Sequence, residues 1–358
     1  MKKLEKVKIL LIYGGQSTEH EVSVLSARNI HQSLDEKKYK VSLIKIDKDG
    51  KWFWINQDHL FSDQIEDFDR KKGCGSEVVV DFNNKSFCEL GDNIIKHKFD
   101  VVFPVLHGLY GEDGTIQGLL RMLDIPFVGS GVLGSAVGMD KDIMKRLLRE
   151  AGLPVGKFFV LHKNIKTVAF AEVKKKLGLP LFIKPANQGS SIGISKADNE
   201  MDYKVGIEKA FLYDTKVIVE EYIEGREIEC SVLGNDNPTV SLLGEIVTDK
   251  TSHKFYSYEA KYLNENGVSL IAPIKLSKAK IKQIQDMAVN VFKVLNSAGF
   301  GRIDFFLCKD GSLYVNEINT IPGFTSLSMY TKLWEVSGVS NIELVDKLIE
   351  LALDKHKK

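Results

Sequence analysis

The sequence lacks most features that mark specialised classes of protein. Its four cysteines, Cys74, Cys88, Cys230 and Cys308, are scattered with no CxxC pair. They indicate neither a disulfide framework nor a zinc site, and a reducing cytoplasm is the simplest setting. Charge of one sign is not in excess: 49 Lys and Arg stand against 48 Asp and Glu, a net charge of +1. That balance gives no general attraction to nucleic acid or to an anionic membrane surface. No apolar run approaches the ~20 residues a membrane span needs. The run 9–13 behind the basic start is shorter than a signal h-region, and no small-residue cleavage site follows. Two nucleotide signatures are missing as well: there is no Gly-Lys-Ser/Thr of a Walker A loop, and GGxSxE after the first apolar run is not GxGxxG. With 44% hydrophobic and 27% charged residues the composition is that of an ordinary soluble globular protein, and 358 residues suggest two or three domains.

What is present is led by the stretch 301–323, GRIDFFLCKDGSLYVNEINTIPG. Residues 302–307 and 313–318 are β-branched or aromatic enough for two strands, with Asp310-Gly311 as a two-residue turn between them. That turn sets Asp304 opposite Glu317 and Arg302 opposite Asn319. Opposed residues, and residues two apart, share one face of a sheet. Two carboxylates ~5 Å apart repel by roughly 3 kcal/mol at an effective dielectric of about 20. The fold must supply a compensating cation. Asp304, Glu317 and Asn319 are hard oxygen donors suited to Mg²⁺, an ion that commonly also takes substrate phosphates.

Elsewhere, strands at 8–13, 39–46 and 100–106 alternate with helices up to 128 and predict one α/β domain. Thr18 and Glu21 fit a capping box at the first helix. Glu19 stands at the carboxyl end of the first strand, where open α/β sheets bind ligands. On the residues alone it reads first as a first-turn acid that favours the helix dipole. His107 ends another strand, as a ligand contact or a packed histidine. The glycine-rich segment 129–138 reads as a domain boundary. Asp140 caps a helix over 141–150, which puts Lys141 in a first turn that disfavours a cation. A Gly/Ser loop at 187–195 follows the strand 181–185. Its backbone N–H groups and hydroxyls can cover phosphate oxygens, and Lys184 immediately before it strengthens that reading. The strand 217–223 carries Glu220 and Glu221 near its end. The long loop 250–271 is rich in aromatics and predicts an ordered cover over a site. An amphipathic helix spans 277–295. The turn 321–329 leads into a helix start suited to an anion, and a last helix covers 342–353.

Taken together, GGQSTEHEVS, FPVLHGLYGEDGTIQG, GMDK, FIKPANQGSSIGISK, EEYIEGREIE, YSYEAKY, GRIDFF and NEINTIPGFTSLSM resemble the D-alanine–D-alanine ligases of the ATP-grasp superfamily. The resemblance runs through essentially the whole chain, in order. It implies a mixed α/β and α+β architecture of three domains: a Rossmann-like pre-ATP-grasp domain at 1–129, a central ATP-grasp subdomain at 130–220, and a C-terminal subdomain at 221–358. It implies joining of two D-alanines with ATP, through a D-alanyl phosphate, in the cytoplasmic synthesis of peptidoglycan. Two Mg²⁺ ions, replaceable by Mn²⁺, would sit on Asp304, Glu317 and Asn319. Glu19 would hold the first substrate's ammonium beside His107, in a hydrogen-bonded group with Ser190 and Tyr262. Lys141, Lys184, Ser191 and Lys261 would serve the ATP phosphates. Glu220, Glu221 and Ile223 would line the adenine, and Glu227 the ribose. Arg302 and the Gly323 backbone would stabilise an oxyanion, and Ser328 and Met329 would receive the second substrate's carboxylate. A homodimer is the family expectation, with no nucleic-acid or membrane partner. A D-Ala–D-Ser or D-Ala–D-lactate ligase, or another ATP-grasp carboxylate–amine ligase, stands as the alternative; Tyr262 in EAKY looks like the dipeptide-forming members, whereas FPVLHG and NTIPGFTS also look like the D-serine branch.

Overall fold

The structure is a computed structural model and describes residues 5–61, 75–91, 94–248 and 268–357. The loop residues Lys261 and Tyr262, with most of the cover expected over 250–271, lie outside the described residues, and the last four residues of that segment form a strand, Val268–Ile271, rather than loop. Three sheets organise the chain. The first has seven strands in the order β6-β5-β4-β3-β2-β1-β7: β1 (Val7–Gly14), β2 (Tyr39–Ile46), β3 (Trp52–Ile55), β4 (Ser76–Asp81), β5 (Ser86–Leu90), β6 (Ile95–His97) and β7 (Val101–Val105). β1 lies parallel to both β2 and β7, as the alternating pattern predicts. The strands from β3 to β6 instead pair antiparallel, in a meander. The connections 47–51 and 82–85 are too short for the dozen or more residues that a parallel crossover requires.

The first sheet is packed by α1 (His20–Ser33), the short α2 (Gln57–Leu60) and α3 (Thr115–Met122). The capping box expected at Thr18 and Glu21 does not form. α1 starts at His20 with Glu19 as N-cap and no side-chain cap, and Glu21 pairs with Lys48 at 2.6 Å. The Glu19 carboxylate is engaged elsewhere, with Ser190.

The segment 129–138 is not an open linker. It contains α4 (Val132–Met139), followed by α5 (Lys141–Glu150). A side chain at Gly134 would put its Cβ 2.4 Å from the Asn296 carbonyl oxygen, and one at Gly138 would lie 2.7 Å from Thr320 Cγ2. These glycines serve close packing against the turn at Asn296 and Ser297 and the strand end at Ile318 and Thr320, a use that composition alone does not separate from a breaker. Asp140 caps α5 as expected, accepting from the amides of Asp142 and Ile143 at 3.1 and 3.2 Å.

The second sheet, β10-β9-β11-β8, is antiparallel. It comprises β8 (Phe158–His162), β9 (Leu181–Pro185), β10 (Ser195–Ala197) and β11 (Lys216–Glu221), with α6 (Phe170–Leu177) and α7 (Glu200–Ala210) on it. The third sheet, β14-β13-β12-β15-β16, is formed by β12 (Gly225–Gly234), β13 (Thr239–Thr248), β14 (Val268–Ile271), β15 (Gly299–Cys308) and β16 (Leu313–Asn319). Its core takes Ile284, Ala288, Val291 and Phe292 from α8 (Lys278–Val294), and Met144 and Leu148 from α5. α9 (Met329–Val336) and α10 (Asn341–His356) close the chain. Tyr330, Trp334, Leu344 and Leu348 from these two helices share one core with Ile9, Leu11 and Phe103 of the first sheet and Phe300 of the third. The first and third sheets are thereby held across a common apolar layer, and the loops between them form walls of one site.

Candidate active site

Asp304 pairs with Glu317 across β15 and β16, and Arg302 with Asn319, the pairs the sequence predicts. The route differs from the expected two-residue turn. Gly311 N donates to Cys308 O at 3.0 Å and Cys308 N to Ser312 O at 2.9 Å, so the loop has three residues, with Gly311 left-handed at φ +86°. A three-residue loop with glycine in that conformation is a common hairpin connection. It displaces the register by one, giving Leu307↔Leu313 and Phe305↔Val315, and a bulge between Asp304 and Phe305 restores it.

β12 adds a third carboxylate to the row, because Glu229 lies opposite Asp304. The row is balanced by protein cations. Arg302 Nε and Nη2 donate to the two Asp304 oxygens, each at 2.7 Å, and Lys141 Nζ lies 3.5 Å from Glu317 Oε2. Asn319 Nδ2 donates to Asp304 at 3.0 Å. Among the described residues no group of three or more His, Cys, Asp or Glu could hold a metal. The donor set here is two carboxylates and an amide, and substrate oxygens would have to complete the shell. That incomplete hard-oxygen set fits Mg²⁺, which rarely relies on protein ligands alone.

A cleft of about 1130 Å³ opens between the second and third sheets. Its lining includes Lys141, Lys184, Ser190, Ser191, Glu220, Glu221, Ile223 and Glu227. Glu220 is buried between two lysines, 2.8 Å from Lys145 Nζ and 2.7 Å from Lys184 Nζ. Burial pushes its carboxyl up, but the two ammonium groups outweigh burial and hold it at about 2. Burial likewise opposes the Lys184 charge, and Glu220 reverses that, leaving the ammonium raised above its ordinary value. Glu221 accepts from Lys157 N at 2.7 Å. The Gly/Ser loop is fixed at its base by Asp214, which accepts from Asn187 N at 2.8 Å and Asn187 Nδ2 at 3.0 Å. Lys141 Nζ reaches back to the Gln188 carbonyl at 2.7 Å. Ser190 and Ser191 adopt left-handed φ of +50° and +62°.

A smaller, mostly polar cavity adjoins the cleft, lined by Glu19, His107, Glu112, Glu229, Arg302, Asn319, Gly323, Ser328 and Met329 among others. Ser190 Oγ donates to Glu19 Oε1. A Cβ at Gly108, whose φ is +70°, would lie 2.9 Å from Glu19 Oε2, and one at Gly189 would lie 3.1 Å away, so both loops approach that carboxylate closely. His107 is buried with both ring nitrogens engaged, Nδ1 with Ile321 O at 3.0 Å and Nε2 with Ser26 Oγ at 3.3 Å. Burial lowers its pKa and keeps the ring neutral. Ser328 is the N-cap of α9, and its Oγ accepts from Thr325 N at 3.0 Å. Met329 lines the cavity, yet its side chain is buried with Ile246 and Leu333. A Cβ at Gly244 would lie 2.6 Å from its sulfur.

Three charged residues at the site escape the sequence reading. Lys145 sits one turn beyond Lys141 and so on the same helix face. Glu229 is two residues past Glu227 and so on the same strand face. Glu112 lies inside the His107 turn and accepts from Gly108 N and Ile321 N, both at 2.9 Å. It thereby ties the first sheet's loop to the 321–323 turn. Burial, with the Glu19 charge added, pushes its carboxyl up to about 7. Only the pairing of Glu112 with a backbone amide 209 positions away was beyond inspection.

Comparison with known proteins bears on this geometry. Residues 8–130 match the family description "D-ala D-ala ligase N-terminus" and residues 147–350 "D-ala D-ala ligase C-terminus". The chain is 48% identical to a D-alanine–D-alanine ligase of Oceanobacillus iheyensis, covering 99% of this chain and 97% of the relative. It is 44% identical to D-alanine–D-alanine ligase A of Escherichia coli K12, covering 99% and 97%. Among solved structures, the D-alanine–D-alanine ligase of Coxiella burnetii superposes with a TM-score of 0.87 at 39% identity, covering 99% of this chain and 95% of that one. The VanG D-Ala:D-Ser ligase of Enterococcus faecalis gives 0.86 at 38%, covering 97% and 100%.

Proposed function

Since this chain belongs to the D-alanine–D-alanine ligase family, we propose that its two adjoining cavities divide the substrates of that reaction between them. The enzyme is an ATP-dependent ligase that joins two D-alanines to D-alanyl-D-alanine, a step of peptidoglycan synthesis, and it uses ATP with a divalent metal. One observation carries the division: Gly189, Ser190 and Glu317 line both cavities. A nucleotide in the large cleft would bring its terminal phosphate to that shared edge, beside an amino acid in the small cavity.

In this reading Glu220, Glu221 and Ile223 border the adenine, Glu227 the ribose, and Lys141, Lys184 and the amides around Ser191 the phosphates. Lys261 belongs with them. Glu19, oriented by Ser190 and joined by Tyr262, holds the first D-alanine's ammonium, and the neutral His107 braces that wall. The carboxylate of this D-alanine attacks the γ-phosphate to form D-alanyl phosphate and ADP. The amine of the second D-alanine then attacks the acyl carbon, and phosphate leaves. Arg302 and the Gly323 amide stabilise the oxyanion that develops there. The first amides of α9, which lack intrahelical partners, and Ser328 receive the second carboxylate. Asp304, Glu317 and Asn319 would hold two Mg²⁺ ions, which supply charge neutralisation for the phosphates; Mn²⁺ fits the same oxygen donors. The three-domain division at 129 and 220, the homodimer and a cytoplasmic setting belong to the same proposal. No described helix is long and apolar enough to cross a membrane.

D-Serine as second substrate is the competing reading, supported by the likeness to the VanG ligase. ADP release measured with D-alanine alone, then with D-serine or D-lactate added, separates the two. Full turnover with D-alanine alone is expected. Turnover only after D-serine or D-lactate is added would overturn the assignment.

A further inference from the structure

Arg302 serves two carboxylates at once. Two of its nitrogens donate to the two oxygens of Asp304, and its Nε also lies 3.0 Å from Glu229 Oε2. The Glu229 side chain is 4% exposed, and that of Arg302 12%. With Asn319 added, three donors occupy about three of the four lone-pair positions a carboxylate offers. A divalent cation that takes Asp304 through both oxygens must displace guanidinium donors, and in any mode it is repelled by the charge they carry. A guanidinium so displaced, if left unpaired in this buried face, would be an uncompensated buried charge and oppose metal binding. Glu229 already stands within reach of it, on the strand next to Asp304.

We propose that Glu229 is a positioning residue that receives the Arg302 guanidinium when a divalent cation binds Asp304. Metal loading is thereby coupled to the release of Arg302 from Asp304 toward the cavity that Arg302 and Glu229 both line. The inference rests on the reading of Asp304 as a metal ligand. Without Glu229, Arg302 loses the carboxylate it reaches apart from the metal-binding pair Asp304 and Glu317, and it competes with the metal for the oxygens of Asp304. With Glu229, it keeps a charged partner in both states.

Mn²⁺ binding to the full-length chain without nucleotide, read from the electron paramagnetic resonance signal of free Mn²⁺, tests this without turnover. Glu229→Gln is expected to weaken Mn²⁺ binding about tenfold, equivalent to ~1.4 kcal/mol. Arg302→Gln is expected to strengthen it. In the Arg302→Gln background, Glu229→Gln should change affinity by less than about twofold, because its effect passes through Arg302. Equal weakening in both backgrounds would make Glu229 a mere nearby charge and overturn the proposal. Should Glu229→Gln fail to fold, as judged by circular dichroism, Glu229→Asp takes its place with the same requirement that its effect vanish beside Arg302→Gln. Asp304→Asn is the control: unchanged Mn²⁺ affinity there would remove the metal reading itself, and this proposal with it.

Discussion

Replacing Glu220 by glutamine removes one charge and strands two. The carboxylate lies 2.8 and 2.7 Å from Lys145 and Lys184, in a position where all three side chains are largely excluded from water. Its carboxyl is held at about 2 in the folded chain against an ordinary 4.5. At ~1.36 kcal/mol per unit this difference contributes about 3 kcal/mol of stability near neutral pH. Loss of one partner of a buried ion pair costs a similar ~3–5 kcal/mol. The two figures describe one interaction from its two sides and are not added. The sign follows from the lowered pKa. The contribution is complete above about pH 4.5 and is lost as pH falls toward 2, because the unfolded chain takes up the proton first. Urea unfolding midpoints of wild type and Glu220→Gln should therefore differ by the equivalent of ~3 kcal/mol near pH 7, and by roughly half that near pH 3. A gap that stays constant with pH, or no gap at pH 7, would refute the assignment of Glu220 as the anion that both lysines share.

Other substitutions probe separate links. Asp214→Ala frees both hydrogen bonds that fix the base of the Gly/Ser loop; it should raise KM for ATP several-fold with little change in melting temperature, and an unchanged KM would show that the loop does not depend on this anchor. Gly138→Ala drives a methyl to within 2.7 Å of Thr320 Cγ2; overpacking of that kind costs about 1–3 kcal/mol, visible as a lower melting temperature, and a variant as stable as wild type would mean that α4 does not seat against the third sheet as described.

Much of the site was legible because strand periodicity and ligand chemistry are local properties. The pairing of Asp304 with Glu317 illustrates how such a reading succeeds and where it is fragile. The turn was one residue longer than Asp-Gly implies, which alone would have slipped the register and broken the pair. A bulge between Asp304 and Phe305 compensates, and bulges of this kind leave no reliable mark in composition. Glycine was the least legible residue. At 189 and 193 it lies in the Gly/Ser loop after β9, whereas at 134 and 138 it lies inside a helix for close contact. Buried polar ties such as Glu112 to Ile321 join distant segments, and only the fold reveals them. Helix ends were blurred for a related reason. Thr18 and Glu21 could have capped α1, but the charges there are used for contacts with Ser190 and Lys48.

The carboxylate row on the β15–β16 hairpin is proposed to bind metal where the two cavities meet. Mn²⁺ stoichiometry in the presence of ADP, compared between wild type and Glu317→Gln, addresses it most directly. Two ions per wild-type chain, with loss of at least one in the variant, are expected. Equal stoichiometry and equal affinity in both proteins would contradict the claim.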